Sequence, residues 1–162
     1  MLDPKTFQTI VENTPLVSID ICLVCGDEML MCKRNFAPLM GQWFTPGGRI
    51  FKNESMEDAF LRICKTELGM LKINMRDFSL IGAWDNFYNN SFFGEDISTH
   101  YVNLPHYLKL NSKPEVILDN QHSDFEWFEL IDIANNEEFH SYMQNYTKSI
   151  LELIKTKEHH YD

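Results

Sequence analysis

The sequence predicts an α/β fold, an α/β/α sandwich built on a mixed sheet. Two β-rich runs, Leu16 to Val24 and Met29 to Lys33, flank a Gly26-Asp27 turn and read as a hairpin. Segments of helical periodicity lie before, between and after the strand-like runs. The whole is a pattern of mixed strands with flanking helices, not the regular alternation of a doubly wound parallel sheet.

Along the chain, Phe7, Ile10 and Val11 recur at helical spacing within Pro4 to Asn13, and Pro15 stops that helix. After the hairpin, Trp43 to Thr45 leads into Pro46-Gly47-Gly48, a loop signal. Ser55 stands three residues before Asp58 as an N-cap with a capping-box partner. Ala59, Phe60, Ile63, Cys64 and Leu68 then fall on one helical face, and Gly69 closes the helix. Later strands are expected at Phe78 to Trp84, His100 to Leu110 and Phe125 to Glu129. A last helix opening near Asn136 places Phe139, Tyr142, Met143, Tyr146, Ile150 and Leu153 together.

No repeat or linker interrupts the 162 residues, so residues 1–162 are expected to form one domain. The net charge of −10, from 14 basic and 24 acidic residues, argues against a nucleic-acid partner, which would need a basic surface. No apolar run is long enough for a membrane span, and the start MLDPKTFQTI lacks a signal-peptide pattern, so a cytoplasmic location is expected. Cys22 and Cys25 have the spacing of a redox or zinc pair. They fall within a strand-like run with no second close pair, and read as buried or edge thiols.

The chemistry concentrates in Gly47 to Met70, GGRIFKNESMEDAFLRICKTELGM. A Gly-Gly loop opening onto a capped helix would bring backbone donors and the helix dipole to an anion. The order Gly48, five residues, Glu54, seven residues, Arg62, then Glu67 and Gly69 resembles the Nudix box, G-x5-E-x7-R-E-U-x-E-E-x-G-U with U aliphatic. Ile63 and Thr66 stand where the box has glutamates. The box acids sit at i, i+3 and i+4 on one helix face and gather divalent ions around a diphosphate. Only Glu67 remains of the three.

A box depleted in this way is similar to that of the GDP-mannose mannosyl hydrolase branch of the Nudix superfamily. The resemblance extends to TPLVSID (14–20), Lys33-Arg34, QWFTPGGR (42–49), AWDNFY (83–88), STHYV (98–102) and DNQHSDFEW (119–127). It implies hydrolysis of GDP-mannose, or GDP-glucose, to GDP and free sugar, by attack of water at the anomeric carbon with inversion. It implies one Mg²⁺, with Mn²⁺ as a substitute, on the Gly47 carbonyl, the Glu67 carboxylate and the Gln121 side-chain oxygen, all hard donors.

By the same resemblance Arg34 and Arg49 bind the diphosphate and assist its departure, Asp20 contacts the sugar or neighbouring catalytic groups, and Tyr101 hydrogen-bonds the diphosphate. His122 is the expected general base, imidazole titrating near working pH. Its competitors are weaker: His100 reads as structural, His106 and His140 lack a motif, and His159 and His160 lie in the polar tail. Asn86 stands where the branch has histidine. Arg62 and Glu54 read as an architectural ion pair. Phe7 is a candidate to stack on a purine, and the aromatic loop from Phe87 to Phe93 to cover the sugar. A homodimer is expected through the N-terminal segment.

Two other functions stay open on the sequence. A Nudix pyrophosphohydrolase would need acids such as Glu57, Asp58 or Asp124 to replace those missing. A nucleotide-sugar sensor would bind without turnover, against which the joint retention of Glu67, Gln121 and His122 weighs.

Overall fold

The structure, a computed structural model, describes residues 2–70 and 72–158. The tail histidines His159 and His160 lie outside the described residues. The first helix, α1, spans Pro4–Asn13, as its spacing predicts, and Asp3 caps it by accepting from the Thr6 amide. Strands β1 (Leu16–Cys25) and β2 (Glu28–Arg34) form the expected hairpin, with Val24 opposite Met29 across the Gly26 turn.

The Gly-Gly segment departs from expectation. β3 (Trp43–Phe44) pairs with β2, and Gly47–Arg49 is itself a strand, β4, antiparallel to Ser18–Asp20 of β1. The loop therefore does not open directly onto a helix. α2 begins only at Met56, with Ser55 capping the Asp58 amide and Gly69 ending it at Leu68 with a positive φ of 69°.

The stretch expected as one strand from Phe78 to Trp84 is broken into β5 (Ser79–Leu80) and β6 (Trp84–Tyr88). Both pair antiparallel with β7 (Thr99–Leu110), β5 at His106 and Tyr107, β6 from Thr99 to Asn103. Pro105 lies between these two stretches, and having no N–H it cannot donate to a partner there. Gly82, at a φ of 143°, makes the step. β8 (His122–Glu129) pairs with β2.

The last helix also starts later than expected. α3 (Leu130–Asn135) is followed by a turn and then α4 (Ser141–Glu158). The Asn136 side chain accepts from the Glu138 amide, so it forms a local turn rather than opening a helix.

Among the described residues eight strands form one mixed sheet ordered β3-β2-β1-β7-β5, with β4 beside β1, β6 beside β7 and β8 beside β2. β1 runs parallel to β7 along its whole length, Leu16 beside Tyr101 to Cys25 beside Leu110. Alternation along β1 separates two cores. Ile19, Ile21 and Leu23 pack with Phe60, Ile63 and Leu68 of α2, while Cys22 and Val24 pack with Met143, Tyr146 and Ile150 of α4. Each large apolar chain buried this way stabilises the fold by roughly 1.5–3 kcal/mol. Helices thus cover both faces, the expected sandwich. All four cysteines are free thiols, Cys22 buried and Cys25 half-buried, as their strand context implies.

Candidate active site

β4 can lie against β1 only because Gly47 has no side chain. A Cβ there would stand 2.5 Å from Asp20 Oδ1 and 2.7 Å from the Ile19 carbonyl oxygen. With Gly47 so placed, its N–H donates to Glu67 Oε2 at 3.1 Å, crossing from the strand to the last turn of α2. Glu67 Oε1 accepts from Gln121 Nε2 at 2.8 Å, and the same amide group donates to Asp119 Oδ2 at 3.0 Å. Gly47, Glu67 and Gln121, separated widely in sequence, therefore meet at one point.

Glu67 is 3% exposed, and burial raises its carboxyl to about 7; Asp119 adds to the rise while the Gly47 N–H, Arg34 and Gln121 oppose it. The residues present fit a divalent ion on chemical grounds. The carboxylate, the amide and a backbone carbonyl are hard oxygen donors, and a cation there would relieve the buried negative charge. The Gln121 amide must then turn its oxygen rather than its nitrogen toward Glu67. Among the described residues no cluster of three or more His, Cys, Asp or Glu could hold a metal, so neutral oxygens must complete the set.

A cavity of about 490 Å³ opens beside this point. Asp20, Gly47 and Gln121 line it together with Arg34, Arg49, Tyr101 and Phe7. Arg34 is fixed by donating from Nε to the Pro38 carbonyl at 2.9 Å. The Arg49 guanidinium lies 3.6 Å from the centre of the Phe7 ring, a cation–π contact, and burial lowers its pKa. One face of Phe7 is thus taken by Arg49. Burial raises the Tyr101 phenol, which keeps it a neutral donor.

Glu67 and His122 are not among the residues that line the cavity, although Glu67 is hydrogen-bonded to Gly47 and Gln121, which do. The His122 side chain is 2% exposed, with Nε2 3.9 Å from Glu67 Oε2 and Nδ1 3.4 Å from Asp119 Oδ1. The latter contact is not aligned for a hydrogen bond, leaving Nδ1 without a partner. Burial lowers the His122 pKa, against the opposing pull of Asp119, so the ring is held toward its neutral form.

Asp20, 4% exposed, is held from beneath. Its Oδ2 accepts from Asn103 Nδ2 at 2.7 Å and from the Tyr146 hydroxyl at 3.0 Å. Asn103 also donates to Ser18 Oγ, and Asn86, fully buried, donates to the Tyr146 oxygen at 3.3 Å. Burial pushes Asp20 up to about 6, against those hydrogen bonds and Arg34. Asn86 thus serves the support of Asp20 and does not line the cavity. Asn103, Tyr146 and Asp119 carried no sequence signal of this role: Tyr146 reads as one more apolar-face residue of its helix.

The family model described as the NUDIX domain matches residues 14–149, most of the chain. The chain belongs to the Nudix family. A curated relative, the low-salt glycan biosynthesis protein Agl8 of Haloferax volcanii, is 32% identical over 144 residues, covering 89% of this chain and 87% of that protein. Among solved structures, the NUDIX domain of Shewanella oneidensis NrtR complexed with ADP ribose aligns with a TM-score of 0.67 at 20% identity, over 94% of each chain. A MutT NUDIX hydrolase from Burkholderia pseudomallei aligns at 0.66 and 24% identity, over 85% of this chain and 99% of that one.

Within the Nudix box, Arg62 and Glu54 form the expected ion pair. Arg62 Nε lies 2.6 Å from Glu54 Oε1, its second nitrogen donates to Oε2 at 2.8 Å, and that nitrogen also donates to the Arg49 carbonyl. The pair ties the segment after β4 to α2 and holds the backbone that carries Arg49. Ile63 is 1% exposed and packs under Gly48, while Thr66 is exposed and donates to the Arg62 carbonyl of its own helix. The two altered box positions therefore hold an apolar contact and a helix surface.

Proposed function

We propose that this Nudix hydrolase splits a nucleoside-diphosphate sugar, GDP-mannose being the first substrate to test and GDP-glucose the second. Water's oxygen bonds to the anomeric carbon, the bond from that carbon to the diphosphate oxygen breaks, and the electron pair leaves on the nucleoside diphosphate. The observation that carries this reading is Ile63 packed against Gly48, which leaves Glu67 as the one box carboxylate beside a cavity lined by Arg34 and Arg49. Substitution at carbon passes through an oxocarbenium-like state and requires a stabilised leaving group rather than an activated phosphorus. The name of the relative Agl8 refers to glycan biosynthesis, where nucleotide sugars are the activated donors.

Arg34 and Arg49 are assigned to the diphosphate, with Tyr101 as a neutral donor to it. Phe7 acts from beneath Arg49. Asp20 faces the sugar end. A single Mg²⁺, with Mn²⁺ as its substitute, is assigned to the Gly47 carbonyl, Glu67 and Gln121, where it supplies positive charge to the departing diphosphate. His122 is assigned as the acceptor of water's proton. Because His122 does not line the cavity whereas Asp20 does, near-normal turnover in His122→Gln together with loss in Asp20→Asn would transfer that role to Asp20. The working unit is proposed to be a homodimer, which light scattering tests. No described helix is long and apolar enough to cross a membrane.

A phosphoanhydride mechanism would need more acids at the site. Asp58 accepts from Ser55 at the opposite end of α2, about 14 Å along the helix from Glu67, and neither it, Glu57 nor Asp124 lines the cavity. Hydrolysis of GDP-mannose in ¹⁸O-water with Mg²⁺ decides the matter. Label in mannose supports attack at carbon, label in a phosphate product supports the pyrophosphohydrolase, and binding without turnover identifies a sensor.

A further inference from the structure

Two loops contribute to the cavity wall, one between β2 and β3 and one between β6 and β7. Each carries a large exposed aromatic, Phe36 at 42% and Phe92 at 66% exposure, and the two rings meet edge to face at 6.0 Å. The contacts continue inward: Phe92 to Phe93 at 5.7 Å, Phe93 to Phe7 at 5.4 Å, and Phe7 beneath the Arg49 guanidinium. A file of rings thus runs from a phosphate-binding arginine to the rim. Phe36 also follows Arg34 by two residues, at most about 7 Å of chain, and both line the cavity. Phe87, by contrast, stacks on His100 at 4.4 Å and does not line the cavity.

Leaving aromatic rings exposed costs water contact that burial would remove, and a concentration of them at a cavity rim marks a binding surface. The cavity fixes its kind. A ligand whose diphosphate is held by Arg34 and Arg49 carries, one ribose away, a planar base that needs an apolar face. We propose that Phe36 and Phe92 form the nucleobase platform of this site, holding the base by stacking. This rests on reading the cavity as a nucleoside-diphosphate sugar site, and it moves the base from Phe7, whose face Arg49 occupies, to the rim. Two polar groups beside Phe92 are engaged internally: Ser91 Oγ accepts from the Phe93 amide and the Thr99 hydroxyl donates to the Asn90 carbonyl. Stacking of this kind tolerates different bases, because every base presents a π face.

The test is calorimetric titration of the full-length protein in Mg²⁺ with GDP, ADP and inorganic pyrophosphate. Phe36→Ala/Phe92→Ala is expected to weaken GDP about ten- to a hundredfold, to leave pyrophosphate unchanged, and Phe36→Tyr/Phe92→Tyr to restore GDP binding. ADP is expected within about tenfold of GDP in the wild type. Unchanged GDP affinity in the alanine pair overturns the platform. So does an equal loss of pyrophosphate, which would mean that the loops had collapsed, or a change of oligomeric state with GDP binding intact, which would make the rings a protein interface. Wild-type protein that binds GDP through these rings yet does not hydrolyse GDP-mannose would sink the proposed reaction and leave the platform standing. Binding of pyrophosphate but not GDP, or of neither, would sink the platform.

Discussion

The two glycines of β4 should respond to alanine very differently, although neither adopts a positive φ. At Gly47 the added methyl would stand 2.5 Å from Asp20 Oδ1 and 2.7 Å from the Ile19 carbonyl, a backbone atom that moves only if β4 leaves β1. Overpacking of this kind costs about 1–3 kcal/mol. Displacement of β4 would also lose the Gly47 N–H bond to Glu67, a hydrogen bond to a carboxylate being worth about 1.5–3 kcal/mol. Against this stands a gain of about 0.4–1 kcal/mol from a stiffer unfolded chain. The net expectation for Gly47→Ala is a loss of about 2–5 kcal/mol, or roughly 10 °C in Tm for a domain of this size. At Gly48 the methyl meets only side-chain atoms, Ile63 Cγ1 at 3.1 Å, Ile63 Cδ1 at 3.5 Å and Glu67 Oε1 at 3.7 Å, and a shift of a few tenths of an ångström in Ile63 accommodates it without moving β4. Gly48→Ala should therefore lie within about 1 kcal/mol of wild type. Thermal unfolding with and without Mg²⁺, alongside turnover of GDP-mannose, measures both. If the two variants unfold within about 2 °C of each other, the close approach of β4 to Asp20 does not constrain the site as argued.

Asp20→Asn should lose turnover yet raise stability at alkaline pH. Burial lifts the folded pKa from 3.8 to about 6, so the contribution of this carboxyl is fully present below 3.8 and lost as pH rises through 6; a metal-free Tm gain at pH 8 that vanishes near pH 4 is expected, and its absence refutes the assigned burden. His122→Gln should slow turnover about 10²–10⁴-fold with little change in KM, the span of a lost general base; a near-normal rate removes that role. Arg62→Ala should cost about 1–2 kcal/mol, since the forked pair with Glu54 is half-buried. Arg62 lowers the Glu54 pKa below its ordinary 4.5, so the wild-type advantage in Tm should shrink as the solution is acidified past that value, and a constant difference would contradict the pairing. Ile63→Glu should unfold at lower temperature in EDTA and recover with Mg²⁺ more than wild type does, because it buries a second carboxylate one turn from Glu67; equal Tm values in EDTA would count against a closed apolar contact at Gly48.

Elements with a chemical terminus were legible in the sequence. α1 and α2 matched their spacing because Asp3, Ser55 and Gly69 set their ends locally. The β1–β2 hairpin followed from alternation and a glycine turn. What could not be read depended on distant partners. Pro46-Gly47-Gly48 has the composition of a loop and becomes strand because β1 offers an open edge and Asp20 leaves room for no side chain. The break at Gly82 answers to Pro105, more than twenty residues away, and Asn136 turned on its own side chain instead of starting α4. Within the site, Phe7, Asp20, Arg34, Gly47, Arg49, Tyr101 and Gln121 share one cavity, whereas the support from Asn103 and Tyr146 arises only when β7 and α4 pack against β1.

The same packing explains why the depleted box is coupled to the rest of the site rather than being a pair of isolated losses. Ile63 and Glu67 project from adjacent turns of α2 toward neighbouring glycines of one strand: the apolar chain meets Gly48, and the carboxylate takes the Gly47 N–H. A carboxylate at 63 would enter the core that holds Phe60 and Leu68 and raise further a Glu67 already lifted to about 7. The cationic side chains that line the cavity are Arg34 at the end of β2 and Arg49 at the end of β4. Both are fixed by interactions independent of any metal, one by the Pro38 carbonyl and the other by the Phe7 ring. Under the proposed reading such a site would stabilise a departing anion rather than build a nucleophile on a metal cluster, which is the physical reason to test for cleavage at carbon.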